Sequence, residues 1–136
     1  MRLDVYQTEC ERIANEQSAL LNEARQRIIS DKPLNKLEQS GVLHALQVLI
    51  ENAIGKAKHR LKALGVVVPV SAYDVFAALE LQGYLENRTL KQWNSAIGIR
   101  NRIVHDYMNI DMQLIESIIV DSRYRFIVEF LREPIS

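Results

Sequence analysis

A single cysteine, Cys10, stands in 136 residues, which excludes an intramolecular disulfide and a Cys-rich metal site. A charge excess is missing too. The 17 basic and 17 acidic residues cancel to a formal net charge of zero, so any nucleic-acid surface must be local. No apolar run reaches membrane-spanning length, and none follows Met1-Arg2-Leu3-Asp4 as the core of a secretion signal would. The expectation is a cytoplasmic protein with no membrane partner. The 3 histidines, His44, His59 and His105, are scattered and have no carboxylate cluster beside them, which makes a poor metal site. No metal and no cofactor is expected. Five glycines and three prolines leave few turns and favour long helices.

What is present is ordinary for a folded chain: 48% hydrophobic and 25% charged residues. The length suits one domain, 1–136, with one core. A first helix is expected over 3–29, with Leu3, Tyr6, Cys10, Ile13, Leu20, Ala24 and Ile28 at near-heptad spacing and Gln17 as the polar interruption. Cys10 reads as core. Pro33 breaks the chain. A second helix should run from about Asn35 to Leu64, its apolar face including Leu37, Leu43, Leu46, Leu49, Ile50, Ala53, Ile54, Ala57 and Leu61. Gly41 and Gly55 lie inside it, and close packing of another helix would explain one of them. Gly65 stops it. The segment 66–70 is an extended connector, because Pro69 demotes it as a strand. Ser71 should cap a short third helix that ends before Gly83. A fourth helix is expected from about Thr89 to Tyr107. A fifth, capped by Asn109 or Asp111, should continue to about Arg132. The fold class is therefore all-α: an antiparallel bundle of four long helices and one short one.

The end of the second helix is basic, with Lys56, Lys58, Arg60 and Lys62 and no acid between Asn52 and Tyr73. Two readings stand: cations favoured at a helix C-terminus, or a patch that tracks an RNA backbone.

The stretch from Trp93 to Asp111 says most about function. At helical spacing Leu90, Trp93, Ala96, Ile97, Ile103 and Val104 form one apolar stripe; Arg100 interrupts it, and Tyr107 falls one heptad further along it. A buried guanidinium cannot shed its proton and costs several kcal/mol without partners, on the order of a buried unpaired charge. The stripe must open onto a cleft, or an anion must meet the arginine. His105 and Tyr107 follow within eight residues. A fixed cation, a group that titrates near neutral pH and a phenol together suit chemistry on a phosphate. In RNA the neighbouring 2′-hydroxyl is an internal nucleophile. A base takes its proton, an acid serves the leaving oxygen, and an arginine fork stabilises the phosphorane.

Geometry complicates that reading. Five helical residues advance about 7.5 Å and turn the side chain by about 140°. Arg100 and His105 converge only if the helix loosens before His105, or if two copies of the chain face each other across a two-fold axis. The second solution makes a homodimer with a composite cleft. Asn101, four residues before His105, is placed to orient the imidazole or the phosphate. The plainer readings are a core aromatic for Tyr107, a dipole-complementing histidine for His105, a surface acid for Asp106 and a core tryptophan for Trp93. Arg102 lies off the stripe, facing solvent or positioning a phosphate.

The run Arg100-Asn101-Arg102-Ile103-Val104-His105-Asp106-Tyr107 resembles the signature of the HEPN superfamily, and the tyrosine two after the histidine resembles its HepT-like (DUF86-type) branch, with the motif R-x4-H-x-Y. Ala96-Ile97-Gly98-Ile99 and Met108-Asn109-Ile110-Asp111 are similar to that branch as well. The resemblance implies a metal-independent endoribonuclease, the toxin of a toxin–antitoxin pair, working as a homodimer with both motifs lining a central cleft. It implies a partner, a minimal nucleotidyltransferase (MntA-type) that silences the toxin by transferring AMP onto the motif tyrosine. Carried over, Arg100 and His105 are catalytic, Asn101 is supporting and Tyr107 is the AMPylation target. Arg102, Lys56, Lys58, Arg60 and Lys62 are the candidate RNA contacts. The alternative is a non-catalytic helical subunit that binds nucleotide or substrate for a nucleotidyltransferase. A purely structural helical dimer is the third reading, under which Arg100→Leu would be stabilising and silent.

Overall fold

A computed structural model of the chain describes residues 3–135, apart from the side chain of Asn87. The described residues form six α-helices: α1 (Leu3–Ile29), α2 (Lys36–Ala63), α3 (Ala72–Leu81), α4 (Asn87–His105), α5 (Met112–Val120) and α6 (Arg125–Arg132), with a 3-10 turn at Tyr107–Asn109. No strand occurs among the described residues. The all-helical bundle read from the pattern is therefore present, with one arm divided.

Helix α2 is the central post. Its start is fixed by a capping box: Asn35 Oδ1 accepts from the Glu38 amide at 2.8 Å, and Glu38 Oε1 accepts from the Asn35 amide at 2.9 Å. Its apolar residues from Val42 to Leu61 are buried on several sides, because α1, α3, α4 and α6 all pack on it. Leu37 is off that face and 83% exposed. Neither glycine inside α2 is required by close packing. A Cβ at Gly55 would meet the Tyr6 hydroxyl at an ordinary 3.6 Å, and one at Gly41 would meet nothing within 4 Å. Helix α1 turns inward through Cys10, Ala14, Ser18, Leu21 and Ala24, so Leu20 of the anticipated face points outward.

The chain runs up, down, up, down. Cross-links from Gln7 to the Leu131 carbonyl (3.1 Å) and from Arg25 to the Val120 carbonyl (2.9 Å) show α1 antiparallel to α5 and α6. Helix α4 packs closely on α2 and α3, while its backbone stands apart from α5 and α6 and meets α6 through large aromatic side chains. A cleft of about 410 Å³ opens there, floored by Leu46, Ile50, Ala96 and Ile118.

Four helices end in one way. After α1, α2, α3 and α5 a residue takes positive φ: Asp31 (59°), Gly65 (75°), Gly83 (83°) and Ser122 (53°). The next amide bonds back five residues, as Lys32 does to Arg27 (2.9 Å), Val66 to Leu61 (3.1 Å), Tyr84 to Leu79 (3.0 Å) and Arg123 to Ile118 (2.9 Å). This is the Schellman closure of a helix C-terminus. At Ser122 it divides the anticipated fifth helix into α5 and α6.

The core closes around Trp93. Its ring stacks on Phe76 (centroids 4.3 Å) and meets Phe126 and Phe130 edge-on at 4.9 and 5.0 Å. Each such pair is worth about 1 kcal/mol beyond its area. Trp93 is thus a core residue rather than a platform for a nucleobase.

Candidate functional site

Helix α4 buries Trp93, Ala96, Ile97 and Ile103, and its stripe rises to the surface toward the C-terminal end. Arg100 and Asn101 are half-buried, Val104 is 44% exposed, and Arg102 and His105 face solvent. Most of the described arginines are engaged. Arg12 meets Glu9 and Glu16, Arg27 meets Glu23 and Glu38, and Arg60 and Arg132 reach Pro134 and Asn15. Arg100 is different. Its Nε is sealed from solvent with no hydrogen-bond partner, as is that of Arg60, but Arg60 bonds through another nitrogen while Arg100 makes no side-chain hydrogen bond among the described residues, and none of their carboxylates lies within ion-pairing distance of it. An unpaired buried donor costs about 1–3 kcal/mol.

The helix does not loosen before His105. The Asp106 amide still bonds to the Arg102 carbonyl at 2.8 Å, and the chain leaves the helix only at Asp106 (φ −144°, ψ 42°). The first route to convergence is closed. Within one chain Arg100 and His105 leave the helix about 140° apart. Arg100, Asn101 and His105 make no hydrogen bond to another side chain among the described residues.

Tyr107 is not on the α4 stripe, contrary to the heptad reading. It sits in the 3-10 turn, which Asp106 stabilises by accepting from Asn109 Nδ2 at 2.7 Å. The turn carries the phenol, 46% exposed, across to α2, where its Oη lies 3.3 Å from Ser40 Oγ. A cleft of about 250 Å³ surrounds it, lined by Lys36, Ser40, Leu43, Ile110 and Met112. Ser40 and Lys36 were not singled out by sequence reasoning. Their only signal is the four-residue spacing that puts both on one face of α2.

The basic run does not form one patch. Lys56 is buried, and its ammonium donates to the carbonyls of Phe130 (2.6 Å), Leu131 (3.3 Å) and Glu133. All three of its protons close the last turn of α6, so it is unavailable to RNA. Burial pushes its pKa down. Arg60 donates to the Pro134 carbonyl at 2.9 Å and lies over the Tyr84 ring at 5.0 Å. Lys58 is half-buried and Lys62 exposed. Ser40 and Lys58 are also about 27 Å apart along α2, so these cations lie at the far end of the bundle from Tyr107.

Cys10 is buried beside Tyr6 and Lys56, and burial pushes its thiol pKa up, which disfavours a reactive thiolate. No group of three or more potential metal ligands occurs among the described residues. No helix among them is long and apolar enough to cross a membrane.

A family model described as "Ribonuclease HepT-like" matches residues 12–133. No curated protein matches the chain. A solved structure described as "Crystal structure of the toxin-antitoxin with AMP-PNP" superimposes with a TM-score of 0.73, covering 96% of this chain and 99% of that chain at 16% identity. At that identity the likeness is one of fold.

Proposed function

Because the chain belongs to the ribonuclease HepT-like family, we propose that it is the ribonuclease toxin of a toxin–antitoxin pair, with Arg100 and His105 as its catalytic residues. The observation that carries this reading is the half-buried Arg100, whose guanidinium no acid among the described residues pairs with. A phosphodiester supplies the missing anion.

The 2′-oxygen of the substrate attacks the neighbouring phosphorus, and the bond from phosphorus to the 5′-oxygen breaks. His105 takes the 2′ proton or returns one to the 5′-oxygen. Arg100 holds the phosphorane oxygens, with its fork matched to them. The products are a 2′,3′-cyclic phosphate and a free 5′-hydroxyl, and this chemistry needs no metal. Asn101 orients the imidazole or the phosphate, and Arg102 positions the RNA strand. Exposed Lys62 and half-buried Lys58 add distant backbone contacts; Lys56 and the engaged Arg60 are left out.

Since α4 stays regular to its end, the catalytic pair comes together across a homodimer axis, Arg100 from one subunit and His105 from the other. The antitoxin is a minimal nucleotidyltransferase that transfers AMP from ATP to Tyr107. A charged, bulky adduct there blocks the cleft by occupancy and by repelling phosphate. The toxin–antitoxin complex of similar fold, which holds an ATP analogue, supports that choice of partner.

Expression in a bacterial host tests the reading. The wild type arrests growth and leaves RNA ends bearing cyclic phosphate, while Arg100→Ala and His105→Ala are harmless. A harmless wild type that still binds the nucleotidyltransferase would favour a non-catalytic binding subunit.

A further inference from the structure

We infer that Ser40 is a positioning residue for the modification of Tyr107, and that Lys36 on the same face of α2 receives the phosphate of the adduct; this inference rests on the AMP-transfer reading above. Tyr107 sits in a three-residue turn between helices, a place where a side chain has freedom to lose. Its hydroxyl has one hydrogen-bond partner among the described residues, Ser40 Oγ at 3.3 Å, contributed from 67 positions earlier. Ser40 lies in the second turn of α2, whose start the Asn35–Glu38 box fixes. The phenol oxygen is therefore referenced to the central helix of the bundle rather than to its own turn.

That matters for group transfer. Tyr107 Oη attacks the α-phosphorus of ATP, an oxygen–phosphorus bond forms, and the bond from that phosphorus to the β-phosphate oxygen breaks to release pyrophosphate. The phenol proton passes to a carboxylate of the transferase. Holding the nucleophile in one place removes orientational entropy from the barrier, and misplacement by about 1 Å costs up to about a hundredfold in rate. The Ser40 hydroxyl can donate to the tyrosine oxygen as charge builds there, and afterwards to a non-bridging oxygen of the new phosphodiester. Lys36 lies four residues before Ser40, lines the same cleft, and has no ion-pair partner among the described residues. Its ammonium is the cation within reach of that phosphodiester. The adduct is thereby laid along α2 instead of swinging free.

The bland reading is that the Ser40–Tyr107 bond only steadies the turn. Kinetics separate the two. Wild type, Ser40→Ala, Ser40→Thr and Lys36→Gln are each incubated with ATP and the proposed antitoxin, a minimal nucleotidyltransferase, and adduct formation is followed by intact mass. The expected result is a fall of about tenfold or more in kcat for Ser40→Ala, with KM for the toxin within about twofold, and recovery in Ser40→Thr. Lys36→Gln slows transfer less. The melting temperature and RNA cleavage of unmodified Ser40→Ala stay at the wild-type level. Equal rates for wild type and Ser40→Ala overturn the inference, as does a defect that threonine does not rescue. A wild type that gains no mass removes the AMP-transfer reading itself, and this inference with it.

Discussion

Replacing Arg100 by leucine separates two demands on one side chain. The guanidinium sits in an apolar stripe with a sealed, unpartnered Nε, so folding alone does not need it. Arg100→Leu is expected to melt at or a few degrees above the wild-type temperature, because it removes an uncompensated donor worth about 1–3 kcal/mol. RNA cleavage should fall by about a hundredfold or more, the scale of losing a transition-state donor. A stable variant with full activity would make Arg100 a structural accident. Tyr6 gives a second residue-scale test. Burial and the neighbouring Cys10 raise its pKa in the fold. The folded state keeps a phenol proton that the unfolded chain releases above about pH 10, so this contribution is whole below that pH and fades as pH rises toward the folded value. Tyr6→Phe keeps the ring against His59 (4.1 Å) and removes the titration. Urea midpoints at about pH 8 and pH 10.5 should therefore fall less in Tyr6→Phe than in the wild type. At this scale the sequence announced Arg100 through its violation of a pattern. It could not announce Ser40, because serine on a helix surface violates nothing. Lys56 misled for the opposite reason. A lysine among lysines reads as solvent-facing, and only the fold brings the three carbonyl groups at the end of α6 to its amine.

The elements were legible where a stop is written in glycine or proline. Pro33, Gly65 and Gly83 each mark a boundary that the structure keeps. The stop after α5 is carried by Ser122, which enters the left-handed region (φ 53°) without the usual residue. Apolar residues on its two sides, Ile119 and Phe126, are seven apart, so helical periodicity passes through the break unaltered. A non-glycine residue in that region costs about 1–2 kcal/mol. Ser122→Gly should therefore raise the melting temperature by a few degrees, offset in part by the freedom glycine adds to the unfolded chain. A lower melting temperature would mean that the serine side chain contributes something its backbone conformation does not reveal. The same logic explains the misplacement of Tyr107. Nothing in a heptad count registers Asp106, whose φ of −144° ends α4 and sends the tyrosine to α2.

For the whole molecule, the division of labour between the subunits of the proposed homodimer is the decisive question. Arg100→Ala and His105→Ala proteins, each expected to be inactive, can be mixed and allowed to exchange subunits. If the pair acts across the axis, a mixed dimer carries one site with both residues, and RNA cleavage returns at up to about half the wild-type rate per dimer. If the pair acts within one chain, no mixture cleaves. The sequence led to this question through an angle between two side chains. The regular helix up to His105 sharpens it, because the fold removes the alternative of a local distortion. The cleft between α4 and the α5–α6 arm, by contrast, had no counterpart in the pattern. It follows from α4 leaning on α3, a tertiary preference that no single helix encodes.

The bond from Gln7 to the Leu131 carbonyl has a topological consequence. The opening turns of α1 and the closing turn of α6 are side by side, so the path of the chain is nearly a closed ring. A short linker joining the ends would let the ring be cut elsewhere, and the exposed connector at Val67–Val70 is a suitable place. Such a circular permutant should keep the order of helices in space. Its new ends would emerge beside α3, leaving Tyr107 and its neighbours on α2 undisturbed.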